Sequence, residues 1–155
     1  GRTVTVSLSI KPVVAFRTPA FSFRHKREFL PVRTDLGQGI FQTTLISPLG
    51  TGIMVQEYTS MDPRPLIAAM LHELTKEERN YGYTYEEKDV TRVLSDGKQI
   101  QGKQAITRYK DDTWVRSVHS HSGRDEGLLI ITMDQAGADQ DKHLIEQFWK
   151  SLEVH

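Results

Sequence analysis

Cysteine is missing from the 155-residue chain. Disulfides, thiolate nucleophiles, iron–sulfur clusters and cysteine-ligated zinc are excluded with it, while cytosol and periplasm both stay open. No apolar run approaches the roughly 20 residues that a helix needs to cross a bilayer. The opening GRTVTVSLSI alternates where a secretory signal would be solidly apolar. Gly1 stands where an initiating Met would be, which reads as a chain that begins after a removed segment. A charge excess is also lacking, since 20 Lys and Arg meet 20 Asp and Glu. Nucleic-acid binders draw affinity from neutralised phosphates, and anionic membranes attract polybasic segments, so both partners are disfavoured.

What is present is hydrophobic periodicity. In VTVSLSI, Val4, Val6, Leu8 and Ile10 share one face, the period of two of a half-buried strand. Phe21 and Phe23 alternate after the punctuation of Pro12 and Pro19. GIFQTTLIS and GIMVQEYTS read as a hairpin with a loop longer than two residues, around Pro48, Gly50 and Gly52. A helix is expected over 62–80, with Asp62 as N-cap, Pro63 in the first helical position and Gly82 as the stop. Leu66, Ile67, Met70, Leu71 and Leu74 form its apolar stripe.

Residues 83–133 read as a four-strand meander, with Asp96-Gly97 the strongest hairpin signal. Its first strand is polar and is expected toward an edge. Its last, LLIITM, is apolar on both faces and is expected to be central and covered on both sides. A second helix follows Gly137, capped by Asp139 or Asp141, with Leu144, Ile145, Phe148, Trp149 and Leu152 as its stripe. No linker or repeat divides the chain. The expected fold is α+β: one domain over 1–155, a twisted, mainly antiparallel sheet of about 6–7 strands with two amphipathic helices packed on it.

Catalytic and phosphate-binding signatures fail one after another. HELTKEE has Lys76 where a zincin needs its second His. DQAGADQD has alanines at the third and fifth positions of a calcium loop and Asp139 in place of the turn glycine. GQG and GTG are not followed by Lys-Ser or Lys-Thr and read as turns. Glu86-Glu87 and Asp111-Asp112 are sequence neighbours, which on a strand point to opposite faces. The basic run FRHKREF, residues 23–29, reads as a solvated loop.

One pattern carries metal chemistry. His119 and His121 lie two apart on a predicted strand, so their Cα atoms sit roughly 6.5–7 Å apart on one face. Two imidazoles so placed can share a divalent ion, although zinc needs a further protein ligand that spacing does not reveal. The alternative is a pair of exposed polar residues near a hairpin end.

The element order resembles the PsbP/Mog superfamily, named for a photosystem subunit and a Ran-binding protein, with bacterial lipoprotein and secretion-adaptor relatives. The likeness rests on AFSFRHKREFLP as an opening hairpin and DGKQIQGKQAITRY as a strand pair with a central Gly102. It rests also on LIEQFWKSLEV as a closing helix, where Phe148 and Ser151 match an F..S pattern. The resemblance implies an α/β/α sandwich and a non-enzymatic binding or adaptor domain of bacterial origin, exported or periplasmic, that engages a protein partner through a sheet edge or face. It supplies no catalytic residues. Two other functions stand beside that reading: a metal-binding protein or metal-dependent enzyme using His119 and His121, and a small-ligand pocket between the sheet and helix 62–80, lined by Met70.

Overall fold

A computed structural model describes residues 13–137 and 141–155. The strand expected over 4–10 and the capping candidate Asp139 lie outside them. The elements in chain order are β1 (Val13–Arg17), β2 (Phe21–Lys26), β3 (Val32–Gly37), β4 (Ile40–Ile46) and β5 (Gly52–Tyr58). A 3₁₀ turn (Arg64–Leu66), α1 (Ile67–Leu74) and α2 (Lys76–Tyr81) follow. Then come β6 (Thr84–Val93), β7 (Gln99–Tyr109), β8 (Asp112–Gly123), β9 (Glu126–Gln135), α3 (Lys142–Ser151) and β10 (Glu153–Val154).

Seven strands form one antiparallel sheet in the order β3-β4-β5-β9-β8-β7-β6, and β1-β2-β10 form a small second sheet. The fold is thus the expected α+β sandwich. As its composition foretold, β9 is central: Leu128, Leu129, Ile130 and Ile131 are all buried. As its polarity foretold, β6 is an edge. Even-numbered residues of β8 face α1, where Leu71 packs on Val118, Ala105, Leu129 and Ile131. Odd-numbered residues face the other layer. There Phe21 and Phe23 of β2 and Leu144, Phe148 and Trp149 of α3 cover Ile53, Val55, Leu128 and Ile130.

Three expectations need correction. The opening hairpin pairs Val13–Arg17 with Phe21–Lys26, so segment 20–31 supplies one strand of it and not two. The basic run is therefore only in part a loop: residues 27–29 turn, but Arg24 and Lys26 face outward from β2, while Phe23 and His25 are buried. The helix over 62–80 is also not continuous. It begins as a 3₁₀ turn after Asp62, whose Oδ1 accepts the Arg64 amide at 3.0 Å, and it breaks at Thr75. The buried Thr75 hydroxyl donates to the Leu71 carbonyl at 3.0 Å. Such back-bonding by a β-branched side chain bends a helix.

Gly102 shows how little room is left on the strand pair. It pairs with His119 across β7 and β8. A Cβ there would fall 2.3 Å from the Val118 carbonyl oxygen and 2.7 Å from His119 Cδ2. Backbone cannot yield as a flexible side chain does, so Gly102→Ala is expected to destabilise the fold by about 1–3 kcal/mol, the usual range for overpacking. Urea unfolding of the variant beside the wild type measures this; an unchanged midpoint would show that the strands separate freely.

Candidate functional site

β8 places His119 and His121 on one face, as their spacing required, but in different surroundings. His119 lies under α3, directly between Gly102 and Ile130. It is 4% exposed. Its ring meets the edge of Trp149 at 5.2 Å between centroids, and the Arg92 guanidinium sits 4.4 Å from the Trp149 ring. The Nδ1 atom is buried without a hydrogen-bond partner among the described residues. Burial, aided by the Arg92 charge, pushes the His119 pKa down to about 4. His119 is therefore neither exposed nor near the hairpin turn.

His121 is half-buried, and burial with the Lys98 charge lowers its pKa as well. It stands between two cavities. One, of about 620 Å³, is a polar groove at the N-terminal end of the 62–81 segment, lined by Arg64, Ile67, Lys98 and Ser120. Met70 does not line it; that side chain packs with Leu66 and Leu74 onto the cluster around Leu71. The space between the 62–81 segment and the sheet is thus open at Arg64 and Ile67 and packed at Met70. Among the described residues, no group of three or more His, Asp or Glu side chains could hold a metal ion.

The second cavity, of about 600 Å³, opens between the small sheet and the end of the large one. Its walls include Pro19, Ala20, Phe41, Leu128 and Val154, and its polar groups include Arg33, Glu57, Thr59, His121, Glu126 and His155. Glu57 continues the inward row of β5 after Ile53 and Val55, opposite Leu128. It is 3% exposed. Arg33 crosses above Phe41, with its guanidinium 4.2 Å from the ring centroid. Its Nη2 donates to Glu57 Oε2 at 2.6 Å. Glu57 Oε1 is buried and has no partner among the described residues. A desolvated carboxylate with one oxygen unsatisfied is costly for a fold to hold. Sequence reasoning passed over this residue, and the signal for it was an acid at the third inward position of an otherwise apolar row.

The neighbouring surface is equally unusual. β3 ends the large sheet, and all six of its residues are exposed. Leu30, just before it, is 75% exposed and Val32 is 60% exposed. α1 lies over β7 and β8, and farther along the same face of the sheet Ile46 of β4 is exposed and Met54 of β5 half-buried. The opposite edge differs. On β6, Asp89 accepts from Lys103 at 2.8 Å and Glu86 from Arg108 at 3.3 Å, so charge guards that strand.

Two measurements follow. In the window between the ordinary His pKa and about 4, an unfolded chain binds a proton at position 119 that the folded chain refuses. Stability is therefore expected to fall as the pH is lowered across that window, with a slope approaching about 1.4 kcal/mol per pH unit for this group. Denaturant midpoints between pH 7 and 4 record it, and His119→Gln should flatten the curve; an equally steep variant would assign the loss to other groups. Arg33→Met removes the cation from a buried carboxylate and should cost about 3 kcal/mol at pH 7. Urea unfolding of the variant measures it, and a loss below about 1 kcal/mol would mean that the pair contributes no more than a surface ion pair does.

No protein-family model matches the chain, and no curated protein sequence does either. Solved structures do. A crystal structure from Bacteroides thetaiotaomicron VPI-5482 aligns at 10% identity over 91% of this chain and 48% of that one, with a TM-score of 0.49. The solution structure of cyanobacterial PsbP (CyanoP) from Synechocystis sp. PCC 6803 aligns over 99% of this chain and 98% of that one, at 10% identity and a TM-score of 0.60. The protein has a PsbP-like fold.

Proposed function

We propose that the chain is a non-enzymatic binding domain that engages a protein partner by strand addition at β3. The observation that carries this reading is an edge strand exposed at every position, with Val32 and Leu36 bare and Leu30 beside them. An edge presents unpaired amides and carbonyls along its outer side, and an extended segment of another protein satisfies them with main-chain hydrogen bonds. Side chains of the added strand that point toward the α1 face meet the open surface of Val32, Ile46 and Met54, so apolar residues at alternate positions fit best. The bulge between Asp35 and Gly37 limits the regular pairing to the first part of β3. An exported or periplasmic setting in a bacterium belongs to the same reading and draws its support from the PsbP-like fold alone. Among the described residues no helix is long and apolar enough to cross a membrane.

A photo-crosslinking residue at position 34, used in cells that make the protein, tests the reading. A discrete protein adduct is expected, with affinity lowered about tenfold or more by Val32→Lys combined with Leu36→Lys. Those positions are exposed, so the thermal midpoint should hardly move. An adduct that survives both substitutions, or turnover of a small substrate without any adduct, would sink the proposal.

A further inference from the structure

The cavity around Glu57 goes beyond strand addition and stands apart from it. We propose that it is a binding site for a primary ammonium group carried on a short apolar body. The volume of about 600 Å³ lies within the range of small-molecule sites. Phe41, Leu128 and Val154 supply the apolar wall that such a body needs.

The polar groups specify what the other end must be. Glu57 is buried with its Oε2 engaged by Arg33 and its Oε1 unpartnered among the described residues. A bound hydrogen-bond donor satisfies that oxygen, which an apolar ligand cannot do. Charge then selects among donors. Glu57 and Glu126 contribute two carboxylates to the lining and Arg33 one guanidinium, while burial favours the neutral form of His121. One positive charge balances Glu57 and Glu126 against Arg33, so an ammonium beside Glu57 is preferred over a hydroxyl, and a carboxylate is repelled. The ammonium belongs either to a free amine or to a lysine side chain of another protein.

Titration of the ¹⁵N-labelled protein by NMR tests this with three probes of one shape: phenethylamine, 2-phenylethanol and phenylacetate. Phenethylamine is expected to shift the amides of Glu57, His121 and Leu128 and to bind about tenfold more tightly than the alcohol, with the acid weaker still. Glu57→Gln should remove that preference. Ala20→Trp fills the cavity while keeping the Arg33–Glu57 pair, so it should abolish binding of the amine and alcohol together. If Glu57→Gln fails to fold, Glu126→Gln on the exposed rim should still narrow the gap between amine and alcohol. A lysine amide blocked at its α-amino group then separates the sources. Competition with phenethylamine at similar concentration supports a partner's lysine, and failure to compete supports a free amine. Equal binding of amine and alcohol, or an amine affinity untouched by both Glu57→Gln and Ala20→Trp, would overturn the proposal. Loss of strand addition at β3 would leave it standing.

Discussion

Leu128, Leu129, Ile130 and Ile131 occupy four successive positions of β9 and are each no more than 2% exposed. Successive residues of a strand point to opposite faces, so both faces of the sheet must be roofed at the same place. Full burial of each such side chain contributes about 1.5–3 kcal/mol, and half of that is lost if either roof is absent. The chain meets the demand with two covers drawn from different regions. α1 comes from the middle of the sequence and closes over Leu129 and Ile131. β2 and α3 come from opposite ends and close over Leu128 and Ile130. β9 also joins the two halves of the sheet, pairing β5 on one side and β8 on the other. Both roofs and both halves of the large sheet meet at this one buried strand.

The second roof is held by contacts that the first does not need. Ser151 Oγ accepts the Arg24 amide at 2.8 Å, tying α3 to β2, and β10 pairs Val154 with Phe21 immediately afterward. Phe148 meets Phe23 edge-on at 5.0 Å, a favoured aromatic geometry. On the sheet beneath, Gly102 makes room for His119, and His119 supports Trp149. A buried neutral imidazole here works as an aromatic spacer, and burial holds it uncharged. The same stitching determines where space remains: with β10 fastened to β2, Val154 becomes a wall of the Glu57 cavity instead of a plug in it.

The parts of the fold that sequence made legible are those with one buried face or two. β4 alternates because one side meets a core; β9 shows an unbroken apolar run because both sides do. The stripe of Leu144, Phe148 and Trp149 predicts α3 for the same reason. β3 was invisible because both its faces are exposed, leaving no alternation to detect. β1 is short and lies between Pro12 and Pro19, and β10 has two residues. The break at Thr75 depends on where one hydroxyl finds its acceptor, which composition does not disclose. The histidine pair divides along the same line. Spacing placed both rings on one face, but which layer covers each is a property of α3 and β2. Glu57 was hidden by convention: a single acid in an apolar row reads as solvated until its neighbours are known.

The Arg33–Glu57 pair connects the cavity to the exposed edge. Edge strands in native sheets are commonly guarded by charge, and β6 follows that rule with outward carboxylates paired to β7. β3 carries an arginine too, but Glu57 draws it inward across Phe41, to the face opposite Val32. The cation that would shield the edge is spent inside the sandwich. The consequence is double. On one face it satisfies one oxygen of a buried carboxylate beside open volume; on the other, Val32 stays exposed. Protection falls instead to the bulge at Asp35, which interrupts pairing without making the surface polar. One ion pair therefore touches both unusual features at this end of the molecule: it satisfies one oxygen of the buried carboxylate, and it turns the arginine of β3 to the face opposite Val32.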